Sequence, residues 1–114
     1  MSIMTLLPPV NLIATTSMVS MLEAPPAGHV DIFTLRASLI SGSVDAYGHV
    51  QVLQDSGSND GYVAWNEAVR YAQAGGAPDI LVSYMLLPGY SVHIGASADG
   101  VINFHAYNRI RKIV

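Results

Sequence analysis

The sequence contains no cysteine, which removes disulfides, thiolate nucleophiles and cysteine-ligated zinc from consideration and leaves the redox compartment open. Charge is nearly as scarce. Charged residues make up 11% of the 114, against roughly a quarter in ordinary soluble domains. The only glutamates are Glu23 and Glu67, so paired carboxylates for acid–base work are missing, and the aspartates fall mostly beside turn residues, where bonding to local backbone accounts for them. Of the five basic residues, only Arg109, Arg111 and Lys112 cluster, too short a run to neutralise several phosphates; nucleic acid is not expected as a partner. No apolar run reaches the ~18 residues of a membrane-spanning helix, and no membrane association is expected. The apolar amino end lacks a basic n-region and carries Pro8-Pro9 where a signal peptide needs an unbroken apolar stretch, so the expectation is synthesis in a cytoplasm without export by that route.

What is abundant is apolar side chain: 51% of the residues are hydrophobic and the mean hydropathy is +0.38. With so little charge to keep it solvated, such a chain is expected to bury outer surface in an oligomer or a larger assembly. Its length suits a single domain with one core.

Periodicity points to strands. Over Val30 to Ile40, Phe33, Leu35, Ala37 and Leu39 alternate with Thr34, Arg36 and Ser38, the pattern of a half-buried strand. After Ser41 to Ser43 a second alternating run, Val44 to Gln54, turns Val44, Ala46, Val50 and Val52 inward and is expected to pair back as a hairpin. Asp55 to Gly61 is turn chemistry throughout. Trp65 to Gln73 fits either a strand or a short helix, and Gly75-Gly76 and Pro78 end it. Ile80 to Leu87 is the largely apolar run of a central strand, closed by a Pro88-Gly89 turn.

Beyond that turn, Val92, Ile94 and Ala96 alternate on one side, and so do Ile102, Phe104 and Ala106. The two segments are expected to pair as a hairpin, and a three-residue loop, Ala98 to Gly100, brings both sets to one face, with Ile94 opposite Phe104, Ala96 opposite Ile102 and Gly100 in the left-handed conformation of a bulge. Short strands, frequent turns and no long amphipathic helix predict an all-β, single-domain antiparallel β-sandwich of jelly-roll type over residues 15–114, preceded by an extended N-terminal arm over residues 1–14.

The expected hairpin sets His93 opposite His105 on the outer face. Two imidazoles fall short of a metal site, which needs a third protein ligand and groups that orient the rings; His29 and His49 have no spacing that supplies one, and the compact HxH followed by glutamate of metal-binding jelly rolls is missing. The pair reads as a pH-responsive subunit contact or as an ordinary pair of polar side chains facing solvent. Ser97, His93 and Asp99 lack a nucleophile elbow, and Gly75-Gly76 lacks the lysine of a phosphate loop. Neither an enzyme nor a cofactor is expected.

Trp65, Tyr62, Tyr71, Tyr84 and Tyr90 fit the core or a subunit interface, or else a sugar-stacking platform. Four of the five methionines lie within the first 21 residues and suit adaptable packing of the arm on a neighbour. The expected interface is Leu6, Leu7, Val10 and Leu12 of the arm with Trp65 and Tyr71. The rival expectation is a carbohydrate-binding sandwich used in host attachment, with a glycan as partner.

Two stretches, LEAPPAGHVDIFTLRAS at Leu22 to Ser38 and LLPGYSVHIGASADGVINFHAY at Leu86 to Tyr107, combine PAG with an alternating strand and L-x-PG with a strand, AS-x-x-G and a closing strand. The pattern resembles small β-sandwich virion proteins of tailed bacteriophages, of the capsid decoration (cement) or tail accessory type. The resemblance implies an all-β fold without catalysis, homo-oligomerisation, often as a trimer, and attachment to the major capsid protein or the tail of a virion.

Overall fold

A computed structural model of the protein describes residues 4–40, 46–54, 62–71 and 79–114, with the backbone alone described at 39, 46–47, 62–71 and 79–82. The described residues form nine strands: β1 (Met4–Leu7), β2 (Val10–Ile13), β3 (Val19–Leu22), β4 (His29–Leu39), β5 (Ala46–Gln54), β6 (Tyr62–Tyr71), β7 (Asp79–Leu86), β8 (Tyr90–Ala96) and β9 (Ile102–Ile113). There is no helix among the described residues. Trp65 and its neighbours therefore belong to a strand, although helix-favouring residues made a short helix an alternative; pairing with β5 along nine positions outweighs local propensity. The expected loops at 41–43, 55–61 and 75–78 lie outside the described residues.

All the pairings are antiparallel, and they divide the strands into two sheets. In the first, β9 is flanked by β4 on one side and by β1 and β2 on the other, and β7 lies beyond β4. In the second the order is β3-β8-β5-β6. The run from Ile80, expected at a sheet centre, thus lies beyond β4 at the end of the first sheet. The inward residues of both sheets form one cluster, with Phe33, Leu35, Ala37, Leu86, Ile102, Phe104 and Ala106 from the first and Leu22, Val50, Val52, Val92 and Ile94 from the second. Burial at this level, worth about 1.5–3 kcal/mol for each large side chain, is what holds the layers together.

Two expected hairpins do not form. The segments β4 and β5 are in different sheets, as are β8 and β9: β8 pairs with β3 and β5, and β9 with β4, β1 and β2. Ile94 and Phe104 both face the core, but from opposite layers. The connection from β8 to β9 crosses the core's rim beside the connection from β2 to β3, and the two are tied together. Ala96 N–H donates to Thr15 O at 2.8 Å and Gly100 N–H to Ala14 O at 3.1 Å, and Thr16 N–H donates to Asp99 Oδ1 at 2.7 Å. Gly100 has the expected left-handed backbone, φ 72°, as does Gly89, φ 84°, in the turn after Pro88.

The amino-terminal segment lies on the first sheet as two strands. β1 follows β9 from Arg109 to Lys112, and β2 follows it from Asn103 to Ala106. Pro8-Pro9, which can donate no ladder hydrogen bonds, fall between them, where β9 is itself irregular. Asn108 has φ 51°, and Asn108 and Arg109 together oppose Phe33 in a bulge. Asparagine tolerates this left-handed conformation better than most side-chain-bearing residues. Arg109 Nη1 donates to Pro8 O at 2.7 Å, closing the gap that the prolines leave.

Candidate functional site

The bulge at Asn108 decides what the outer face of the first sheet presents. Before it, Ile102, Phe104 and Ala106 point inward and Asn103, His105 and Tyr107 outward. The extra residue reverses the alternation, so Arg111 turns inward to the buried Asp31 and Ile110 turns outward. The Pro8-Pro9 break gives the amino-terminal edge the same reversal: Val10 and Leu12 pack against the core, whereas Leu6 is paired with Ile110 and is 80% exposed.

The outer face is consequently divided. Below the bulge an apolar row crosses four strands, with Leu6 opposite Ile110, Ile110 opposite Ile32 and Ile32 opposite Met85. Ile32 and Ile110 are half-buried, and Met85 is 53% exposed. Met4, half exposed, extends the row at its edge. Above the bulge the same face is mainly polar, with Asn11, Asn103, His105, Tyr107, Arg36 and Thr34, and with Ile13, 52% exposed opposite Asn103, as its apolar exception at the edge. Asn103 Nδ2 donates to Asn11 Oδ1 at 3.4 Å, and the Thr34 and Ser83 hydroxyls lie 3.3 Å apart.

The expected histidine pair is not a pair. His105 is on the first sheet, opposite Arg36 and Asn11, while His93 is on the second, opposite Ser20 and Gln51. The shared hairpin that would have joined them is replaced by a crossing between layers, and their side chains look out from opposite faces. His93 Nε2 is 3.0 Å from Ser91 Oγ, and partial burial lowers the pKa of its imidazole below the ordinary value. The Ser91–His93 contact joins alternate residues of one strand, with no described third group to orient the ring as a nucleophile–base arrangement requires. His29 Nδ1 lies 3.1 Å from Ala27 O, a local turn contact. No group of three potential metal ligands occurs among the described residues.

Of the residues expected at an interface, Leu6 is exposed on the outer face, Leu7 is half-buried, and Val10 and Leu12 contribute to the chain's own core. Trp65 and Tyr71 are strand residues of β6 whose side chains lie outside the described residues. The apolar row went unnoticed in the sequence because its members lie on four strands far apart in the chain, with Met85 hidden within the apolar run from Ile80 and Ile110 between two arginines; the available signals were Asn108 within an alternating strand and the proline pair that matches it. No described helix is long and apolar enough to cross a membrane. Compared with known proteins, the chain matches no family model, no curated protein and no solved structure.

Proposed function

We propose that the protein is a non-enzymatic structural component of a bacteriophage virion, a jelly-roll β-sandwich that self-associates, with a trimer favoured, and attaches to a capsid or tail surface to stabilise it. The observation that carries this reading is the apolar row Leu6, Ile110, Ile32 and Met85 on the outer face of a chain poor in charge. Aligned across four strands, these side chains form one contiguous strip, and a strip of this kind marks contact with another protein more often than scattered apolar residues do. The strand order supports the jelly-roll assignment. The orders (β1, β2)-β9-β4-β7 and β3-β8-β5-β6 interleave early and late strands in both sheets, as two nested Greek keys do. The virion assignment is supported by the turn-and-strand pattern of Leu22 to Ser38 and Leu86 to Tyr107.

Magnitudes favour a lattice over a tight free oligomer. Burying the exposed parts of Leu6 and Met85 contributes roughly 2–4 kcal/mol per subunit. A contact that covers this strip on two copies therefore gains about 4–8 kcal/mol against an association cost on the order of 4–15 kcal/mol, which permits weak, concentration-dependent association in solution and not a tight oligomer. Many weak contacts made together on a repeating surface overcome that cost through effective concentration. Sedimentation velocity over about 1–200 µM is expected to show concentration-dependent self-association, reversed by Leu6→Asp combined with Met85→Asp. A species that stays monomeric throughout this range, or an association indifferent to the double substitution, overturns the proposal.

A further inference from the structure

The polar half of the same face contains a feature that subunit packing through the apolar row leaves unused. A cavity of about 80 Å³ is lined by Arg36, Ala37 and Ser38 of β4 and by Asn103 and His105 of β9. Arg36 stands directly opposite His105, and Ser38 opposite Asn103, in the strand register. The Arg36 guanidinium is held over the Tyr107 ring, 5.7 Å from its centroid, and the His105 ring meets the same tyrosine edge-on at 5.2 Å. Tyr107 thus acts as a shared prop that aligns a cation and an imidazole along one wall.

The guanidinium is incompletely satisfied. Arg36 Nε is buried and has no hydrogen-bond partner among the described residues, although buried polar atoms are nearly always paired and an exception calls for a ligand, ion or water. An arginine fork favours planar oxyanions, which it grips through two parallel hydrogen bonds. Ser38, two residues along β4 from Arg36, and Asn103, opposite Ser38 on β9, add neutral donors, and no carboxylate is among the described residues that line the cavity. The volume sets the size of the guest. It is well below the roughly 300–1,000 Å³ of a pocket for a whole cofactor or drug-sized molecule, but exceeds the ~30 Å³ share of one water molecule, so it suits a single small planar group.

We propose that this cavity is a carboxylate-binding site in which Arg36 supplies the fork, Asn103 and Ser38 the flanking donors, and Tyr107 the platform. The guest is a carboxylate group, either of a free small acid or of an aspartate or glutamate side chain presented by another polypeptide. The site stands apart from the apolar row and does not depend on the virion reading.

The test is a titration followed by two-dimensional NMR of the full chain, with sodium acetate as the free-acid probe and a terminally blocked Gly-Glu-Gly peptide as the side-chain probe, each against sodium chloride at equal ionic strength. Saturable shifts are expected at the Asn103 side-chain amide and the Arg36 Nε–H with at least one carboxylate probe and not with chloride. A greater affinity for the peptide assigns the side-chain source; equal or greater affinity for acetate assigns the free acid. Arg36→Gln should weaken binding roughly ten-fold or more, as expected for loss of a charge-assisted bidentate contact. Arg36→Lys, which keeps the charge without the fork, should recover only part of it. Asn103→Ala, at an outward position, should weaken binding with the fold intact by circular dichroism. Shifts that match those of chloride, or carboxylate binding unchanged in Arg36→Gln, overturn the proposal.

Discussion

Asp31 and Arg111 provide a sharp test of the reversed alternation in β9, because only the bulge brings Arg111 to the inward side. The carboxylate is 5% exposed and accepts two hydrogen bonds, from Arg111 Nε at 2.8 Å and from Nη2 at 2.9 Å, whereas the arginine side chain is 30% exposed. The pairing holds the guanidinium above its ordinary pKa. This difference in burial predicts unequal costs for removing either partner. Arg111→Met leaves a buried carboxylate with neither of its donors, and breaking a buried pair in this way costs about 3–5 kcal/mol. Asp31→Asn leaves a guanidinium that water still reaches and an amide oxygen that still accepts one hydrogen bond, so its cost is nearer that of one ordinary hydrogen bond with partial screening, about 1–2 kcal/mol. Arg111→Met should therefore be the worse by about 2 kcal/mol. The double variant should be more stable than Arg111→Met alone, because the stranded group is then neutral. Urea unfolding at one fixed protein concentration measures all three, with similar m values showing that the unfolded reference is unchanged. If Asp31→Asn costs as much as Arg111→Met, the carboxylate is not the buried member, and the inward turn of Arg111 is refuted.

The lowered pKa of His93 has a definite sign. Its imidazole binds a proton less readily in the folded than in the unfolded chain, so its contribution is fully present above the unfolded value near 6.5 and stability falls as pH drops below it; His93→Gln should flatten stability between about pH 5 and 7 relative to the wild type in urea melts. Two glycines separate packing from mere proximity. A Cβ at Gly48 would lie 3.0 Å from Phe104 Cζ in the core, whereas one at Gly95 would lie nearer still, 2.6 Å, to Sδ of Met18, but this side chain is flexible and the residue 39% exposed, so it can swing aside. Gly48→Ala should cost about 1–3 kcal/mol through overpacking and Gly95→Ala distinctly less, as chemical denaturation will show. Phe104→Ala, at a position with no exposed surface, should cost about 3–5 kcal/mol in the same assay.

The alternation of apolar residues was readable in the sequence, because a strand's period of two is a local property. Phe33, Leu35 and Ala37, Val50 and Val52, Val92 and Ile94, and Ile102, Phe104 and Ala106 all face inward as their spacing requires. Strand neighbours were not readable. Inward faces on β8 and β9 are satisfied equally well by a hairpin within one sheet and by two strands facing each other across the core. The intervening residues 97–101 fit both, since five residues reach up to about 17 Å when extended, more than the ~10 Å between packed sheets. The choice rests on non-local partners: β8 is held between β3 and β5, and β9 between β4 and the amino-terminal strands. No short window of sequence contains those pairings.

The amino-terminal strands explain why the site itself was hidden. Read alone, Met4 to Ile13 is an apolar, proline-interrupted segment suited to reaching away from a domain; read against β9, its interruption coincides with the Asn108 bulge. Each irregularity alone would carry a cost, the prolines as missing ladder donors and the asparagine as a left-handed residue in a strand. Together they reverse both strands at the same height, so that Val10, Leu12, Phe104 and Ala106 remain inward above it while Leu6 and Ile110 emerge side by side below. A conventional edge with continuous alternation would have sent Leu6 and Ile110 into the core and placed Arg111 on the surface. The paired reversal is therefore what moves apolar side chains outward and turns a charged one inward, and the same device divides the face into an apolar strip and a polar cavity.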